Sequence, residues 1–462
     1  MKKGYVIPIH EKLAYGVGDL AINIGYGSIG FYMLWFIVNV GGVSPAKAGF
    51  IFLSARAWDA ITDYIMGRIS DKTHSRWGRR KPYILFGAIP MGICFALLWY
   101  VPGGSEMAKF VYYLIAFILF NTAFTVVAVP YGSLMAEMTQ VYDERTSLSG
   151  FRLGSSFIGT LIGAAGVSLI VDIVFADLPK ADGFFSMGII FGMVIIGILF
   201  ITGSSVKERT QITEQNYEGF FTTIASFFKL KEFRITLGMF LFNMIGFDII
   251  MATFFFFIND VIKVEGDATI YMGIPLIVAA GAAPLWIYLG NRWGKKKAYI
   301  VSSFYFSTAM LICLFIPEHG TSLTIVLCVL SGIGISATQI IPWSILPDVI
   351  EIDEYTNGVR REGSFFGIST FLYKVASAIA IATVGFMLEL SGYIKASPDE
   401  AIAATQDIIQ PDSSVMAIRV LIGVAPGICF LISAVYVWLL PTTKERFNEI
   451  LKELEIRKAG KV

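Results

Sequence analysis

RWGRRKPYI, from Arg76 to Ile84, returns as RWGKKKAYI, from Arg292 to Ile300, with lysines at 295 and 296 for two arginines and Ala298 for Pro82. Each copy follows one long apolar run and precedes another. Further along, VPYGSL at Val129 to Leu134 is echoed by IPWSIL at Ile341 to Leu346, and Asp143-Glu144 by Asp353-Glu354. Three echoes at nearly constant offset, each in the same place among the apolar runs, mark an internal duplication.

The runs that carry the duplication are long enough to cross a bilayer. Of 462 residues, 55% are hydrophobic and only 15% charged, and the mean hydropathy is +0.68. Such a chain is a membrane protein, and disordered, collagen-like and disulfide-stapled classes are excluded. A helical span needs about 20 apolar residues. Reading between charges and Gly/Pro punctuation predicts twelve spans, near 20–40, 47–70, 83–101, 110–135, 147–173, 184–203, 233–258, 269–289, 299–316, 323–346, 363–390 and 416–440.

The polar stretch 204–232 divides them, so the expected units are a six-helix bundle over 1–203, a central loop over 204–232, a second bundle over 233–441 and a tail over 442–462. Each half crosses an even number of times, so the copies are parallel repeats, the relation between the two halves of a major facilitator. The predicted fold is all-α and membrane-integral, with twelve transmembrane helices in two parallel six-helix repeats. Lysine and arginine crowd the loops on the side that holds both termini. The opposite loops carry only Lys47, Lys109, Lys180, Lys263 and Lys395, which predicts cytoplasmic termini in a cell membrane.

Other chemistries find little support. Lys plus Arg (36) nearly balances Asp plus Glu (35), which gives no reason to expect nucleic acid. Cys94, Cys313, Cys328 and Cys429 lie in apolar runs without metal or redox spacing, and His10, His74 and His319 form no HExxH pair. No GxxxxGK[ST] loop is present, so neither a built-in ATPase nor an intramembrane enzyme or sensor is favoured. Met1 to His10 does not read as a cleaved signal peptide.

Ionisable side chains at bilayer depth cost about 2.5–3.5 kcal/mol each, so each needs a partner or a task. Asp59 sits near the middle of the second span and Asp63 one turn away on the same face. Two carboxylates so placed repel unless a proton or a cation neutralises one of them, which describes a Na⁺ or H⁺ site. Thr125 in the fourth span adds a hydroxyl ligand. The bland alternative pairs Arg56 with Asp59 and leaves Asp63 to the basic 71–82 loop.

Lys374 interrupts the eleventh span and Arg152 opens the fifth, its repeat partner. The two are placed to face each other across the cavity between halves and to hold substrate oxygens, unless Lys374 is a counter-ion for an acid such as Asp59. Asp19, Asn23 and Tyr26 give the first span a polar face. Trp343, beside Pro342, is a candidate stacking residue, and Asp248 is an isolated acid in the seventh span.

The longer strings resemble one family. KLAYGVGDLAIN (Lys12 to Asn23), RAWDAITDYIMGRISDKTHSRWGRRKP (Arg56 to Pro82), VYDERTSLSGFR (Val141 to Arg152), LPDVIEIDEYTNGVRREGSF (Leu346 to Phe365) and Lys374 are similar to the glycoside-pentoside-hexuronide:cation symporters of the major facilitator superfamily. The spacing Asp63-x3-Gly67-x3-Asp71-x6-Gly78 is the most specific part. The resemblance implies a cation-coupled sugar symporter working as a monomer, with no cofactor beyond Na⁺ or H⁺. Asp59, Asp63 and Thr125 would bind the cation, Arg152 and Lys374 would border the sugar, and Arg145, Asp348, Glu351 and Arg360 would form cytoplasmic gating pairs. Where the family places a first-span aspartate, a fourth-span aspartate and a stacking tryptophan for sugar, this chain has Asn23, Ala128 and Gly132. RAWDAITD and PWSILPDVI also resemble the lysophosphatidylcholine symporters, so a lysophospholipid is the alternative substrate.

Overall fold

The computed structural model describes residues 6–139, 141–209, 226–263, 268–357, 362–395 and 409–441, with parts of 447–456. Among these, every regular element is helical, and helices fill all twelve predicted places. They are α1 Ile9–Ser28, continued by π-turns to Val40, α2 Pro45–Lys72, α3 Lys81–Leu98, α4 Glu106–Met138, α5 Tyr142–Ser168 and α6 Lys180–Ser205. The second half holds α7 Lys231–Phe256, α8 Ala268–Trp293, α9 Lys295–Leu311, α10 Thr321–Asn357 and α11 Glu362–Leu390, and α12 Asp412–Leu439. Among the described residues, ten helical stretches are long and apolar enough to span a bilayer. The 28-residue α2 is long enough, but Arg56, Asp59, Asp63 and Arg68 lower its hydropathy.

Two ends differ from expectation. The first helix starts at Ile9 instead of near 20, because Glu11 and Lys12, which look solvent-bound, are buried on Arg209 (2.7 Å) and Glu144 (3.0 Å). The tenth runs on to Asn357 beyond the apolar stretch.

The duplication is visible in the packing. In the first half α1 packs on α5, α2 on α4 and α3 on α6; in the second, α7 packs on α11, α8 on α10 and α9 on α12. The paired turns match too: Gly78 has φ +110° and Gly294 has φ +84°, a backbone open to glycine at little cost. Pro130 in α4 and Pro342 in α10 both lie inside their helices.

The halves meet mainly where α2 crosses α11, α5 crosses α8, and α1 crosses α7. On the face holding loops 41–44 and 391–395 the contact is close. A Cβ at Gly49 would stand 2.9 Å from the Ala382 carbonyl oxygen, and Gly385 abuts the Pro45 carbonyl. Lys395 bonds the Gly42 carbonyl (2.7 Å) and Glu106 (3.1 Å), and the Ala46 amide donates to Glu389 (3.3 Å). On the face of the two RWG turns, by contrast, the ion pairs among described residues lie within one half: Arg80 with Asp71 and Glu137 (2.8 Å), and Lys295 with Asp348 (2.8 Å).

Candidate functional site

The helical spacing of Asp59 and Asp63 puts both carboxylates on the side of α2 that faces α4 and α11. Asp59 is 3% exposed and Thr125 1% exposed, deep enough that unpaired charge would be costly. The Thr125 hydroxyl lies 2.8 Å from Asp59 Oδ1 and 3.0 Å from Asp63 Oδ1, so one proton serves two acceptors. Lys374 reaches across from α11. Its Nζ lies 2.7 Å from Asp59 Oδ2 and contacts Asp63 Oδ2 as well. Lys374 therefore stands with the carboxylates and not opposite Arg152, and Arg56 makes no ion pair with a described residue.

Arg152 belongs to its own half. Its Nε lies 3.2 Å from Asp19 Oδ1, and its guanidinium lies over the Tyr131 ring, 5.6 Å from the centroid. Asn23 donates to the Asp19 carbonyl one turn back (2.8 Å). Tyr26 crosses to the second half: its hydroxyl is 3.1 Å from that of Tyr373 and 3.3 Å from Asp248 Oδ1. Trp343 stands apart, half exposed, its ring edge-on to Phe240 at 5.0 Å.

Of the expected gating residues, Arg145 and Asp348 are bonded within their own halves. Arg145 Nε donates to the Thr139 carbonyl (3.0 Å), and Asp348 holds Lys295. Glu351 lies one turn beyond Asp348 on α10. Arg360 lies outside the described residues.

Two carboxylates against one ammonium leave the pocket with a net negative charge. Asp59 Oδ2 and Asp63 Oδ2, hard oxygen donors of the kind alkali cations take, converge where the ammonium sits, and Thr125 Oγ1 ties together the other oxygen of each carboxylate. The residues fit a monovalent cation. Among the described residues no group of three or more His, Cys, Asp or Glu side chains could hold a metal, so a transition-metal centre finds no ligand set.

Residues 14–444 match the family described as MFS/sugar transport protein. The chain belongs to that family. It is a multi-pass membrane transporter, not an enzyme. It is 26% identical to the glucuronide carrier protein homolog of Escherichia coli, over 96% of this chain and 95% of that one. It is 25% identical to sodium-dependent lysophosphatidylcholine symporter 1 of Xenopus tropicalis, over 97% and 90%. Among solved structures it resembles a bacterial homolog of the lysosomal transporter Spinster, in an inward-facing and unoccupied conformation, with TM-score 0.67, 14% identity and coverage of 96% and 97%. The fold is that of the major facilitator transporters.

Several contacts in this transporter were not foreseen. Glu208 accepts from the Arg80 and Lys81 amides (2.8 and 2.9 Å) and from the Arg79 amide, capping the start of α3. Tyr373, next to Lys374, gave no signal of its own. Its importance comes from Asp248, whose carboxylate it meets at 3.2 Å.

Proposed function

We propose that this transporter is a symporter that couples the import of a glycoside or related sugar to a Na⁺ or H⁺ gradient by alternating access. The observation that carries the reading is Lys374 lying between Asp59 and Asp63. In this conformation the lysine ammonium takes the place a coupling cation would take, so the empty site carries one net negative charge instead of two and can reorient. A cation bound to Asp59, Asp63 and Thr125 displaces Lys374, and the freed ammonium becomes a donor for substrate oxygens. Each ligand then favours the other, which is the energetic content of symport.

The family description and the glucuronide carrier homolog support sugar as the cargo. Arg152, Asp19, Asn23, Tyr26 and Trp343 are the proposed substrate-side residues. The two halves, 1–203 and 233–441, rock about their contact. Their close contact on the face of loops 41–44 and 391–395 makes this the state open toward the RWG turns. The charge bias of the loops makes that side the cytoplasm, in the cell membrane, with Arg145, Asp348, Glu351 and Arg360 forming gating pairs in the opposite state. The working unit is a monomer with no cofactor beyond the cation. Single cysteines at Ser75 and Arg292 should accept an impermeant thiol reagent only from the cytoplasmic side.

A cation-coupled lysophospholipid carrier is the second reading. It is favoured by an apolar cavity between Phe31 of the first half and the second half's Phe247, Phe254, Met272, Met310 and Leu327, among others. Uptake into proteoliposomes of a labelled glycoside panel and of lysophosphatidylcholine, with and without a Na⁺ or H⁺ gradient, separates the two. Gradient-driven glycoside uptake is expected; uptake of lysolipid alone would replace the sugar reading by the second.

A further inference from the structure

Asp248 is 4% exposed in the middle of α7, and its two carboxylate oxygens are treated differently. Oδ1 is approached by the hydroxyls of Tyr26 (3.3 Å) and Tyr373 (3.2 Å), which also meet each other at 3.1 Å. Oδ2 has no hydrogen-bond partner. Ser377 on α11, one turn beyond Tyr373, sets a buried hydroxyl beside the same carboxylate, within reach of it but not in a formed hydrogen bond. Oδ2 thus keeps lone pairs that neither tyrosine uses, next to a hydroxyl that can both donate and accept. Buried polar atoms in that condition are rare, and each calls for an explanation.

A group that satisfies both must donate to Asp248 Oδ2 and accept from Ser377 Oγ. A hydroxyl does both with one oxygen. An ammonium donates but cannot accept, and a quaternary ammonium does neither. Charge points the same way, because Arg56, unpaired, already lies in the field of Asp248, Tyr26 and Tyr373. Lys374 follows Tyr373 in the chain. A neutral hydroxyl adds no charge to a neighbourhood that already holds Arg56 and Lys374 against Asp248, Asp59 and Asp63.

We infer that Asp248, Tyr26, Tyr373 and Ser377 form a subsite, contributed largely by the second half, that reads one hydroxyl of a polyhydroxylated ligand. The inference rests on the sugar reading and deepens it. The ligand class is a glycoside gripped from the α1 and α5 side by Arg152 and Asp19 and from the α7 and α11 side by Asp248. The tyrosines hold Oδ1 so that Oδ2 points at the ligand, and are positioning residues in that respect. The pair Tyr373 and Lys374 then links the subsite to the cation pocket: when the lysine moves, the neighbouring tyrosine that orients Asp248 is on the same turn of helix.

The test uses the full-length protein in nanodiscs and isothermal titration. A panel of methyl glucosides, galactosides, xylosides and glucuronides supplies the tightest glycoside, and its monodeoxy analogues are titrated into wild type, Asp248→Asn and Ser377→Ala. Asp248→Asn should lose roughly 10- to 100-fold in glycoside affinity, the scale of a lost hydrogen bond to a charged group, with Na⁺ affinity within about twofold of wild type. One deoxy analogue should be weak on wild type yet no weaker on Asp248→Asn, because the variant has already lost that contact. Ser377→Ala, which keeps every charge, should blunt the same deoxy position. Glycoside binding that is unchanged in Asp248→Asn, or losses that simply add for every analogue, would overturn the subsite and leave sugar transport standing. If wild type binds Na⁺ and lysophosphatidylcholine but no glycoside, the sugar reading fails and the subsite falls with it.

Discussion

Lys374 on α11 and Asp59 on α2 form a 2.7 Å ion pair that joins the two halves of the transporter inside the membrane. The same ammonium also touches Asp63, so one lysine of the second half ties two carboxylates of the first. Any event that neutralises the two carboxylates by other means releases the lysine and loosens the link.

Removing the lysine should therefore act in opposite directions on the two ligands. In Lys374→Gln a cation no longer competes with a built-in ammonium, and Na⁺ affinity should rise about tenfold or more, since a buried pair broken at one partner leaves an uncompensated charge. Substrate affinity should fall roughly 10- to 150-fold with the lost charged donor. Calorimetry with each ligand separately reads both. A parallel loss of Na⁺ and substrate binding would mean that the lysine only holds the fold.

Asp59→Asn and Asp63→Asn keep side-chain volume but remove a negative ligand from a hard-cation site. Both should fold and should fail to concentrate substrate against a gradient. Asp59→Asn should be the more severe, because Asp59 is almost fully buried while the Asp63 side chain is 27% exposed and can be partly replaced by water. Gradient-driven uptake in proteoliposomes at matched protein levels decides it; accumulation by both variants excludes the paired-carboxylate site.

On the closed face, bulk should open what glycine closes. Gly385→Leu would drive a side chain into the Pro45 carbonyl and the Gly49 backbone, so α2 and α11 must separate there. The expected result is several-fold faster labelling of a cysteine at Ala46 by an impermeant thiol reagent from the outside. The four native cysteines are buried or half-buried and give a low background.

The N-terminal segment should loosen in acid. Burial acts to raise the Glu144 carboxyl, but the Ile7 amide (2.9 Å) and Lys12 (3.0 Å) outweigh it and hold the group below its ordinary value. A carboxylate lowered in the folded state stabilises it above the unfolded pKa, and that contribution disappears as pH falls through the folded one. Protection of the Ile7 amide from hydrogen exchange, taken relative to the intrinsic rate at each pH, should thus be high near neutrality and fall only below the ordinary glutamate range. Glu144→Gln should show low protection at both ends.

Much of the site could be read along the chain where its members share a helix. Asp59 and Asp63 are one turn apart, and that spacing alone placed two charges on one face. Thr125 was legible as a hydroxyl in mid-span. The partner of Lys374 was legible only as an alternative: Asp59 stood as a candidate counter-ion beside a place facing Arg152, and spacing could not choose, because the pairing runs between helices 311 residues apart in sequence. Asp248 looked isolated for the same reason: Tyr26, Tyr373 and Ser377 come from two other helices. At the start of α1, hydropathy misplaced the boundary because it scores Glu11 and Lys12 as if in water, whereas Arg209 and Glu144 make their burial affordable. The helices themselves, set by runs of apolar residues, were legible throughout.

The Glu208 cap at the entry to α3 bears on how the halves are leashed. Glu208 grips three successive amides there, the Arg209 amide binds the Glu137 carbonyl (2.8 Å), and the Arg209 guanidinium binds Glu11. The polar stretch that begins at Ser204 is thus riveted to the first half as far as Arg209. At the matching turn, Gly294 has no described atom within 4 Å of where a Cβ would stand, whereas Gly78 has the Glu208 carboxylate there. A pull along the stretch is therefore delivered through Arg209 and Glu11 to α1, the helix that bears Asp19 and Tyr26.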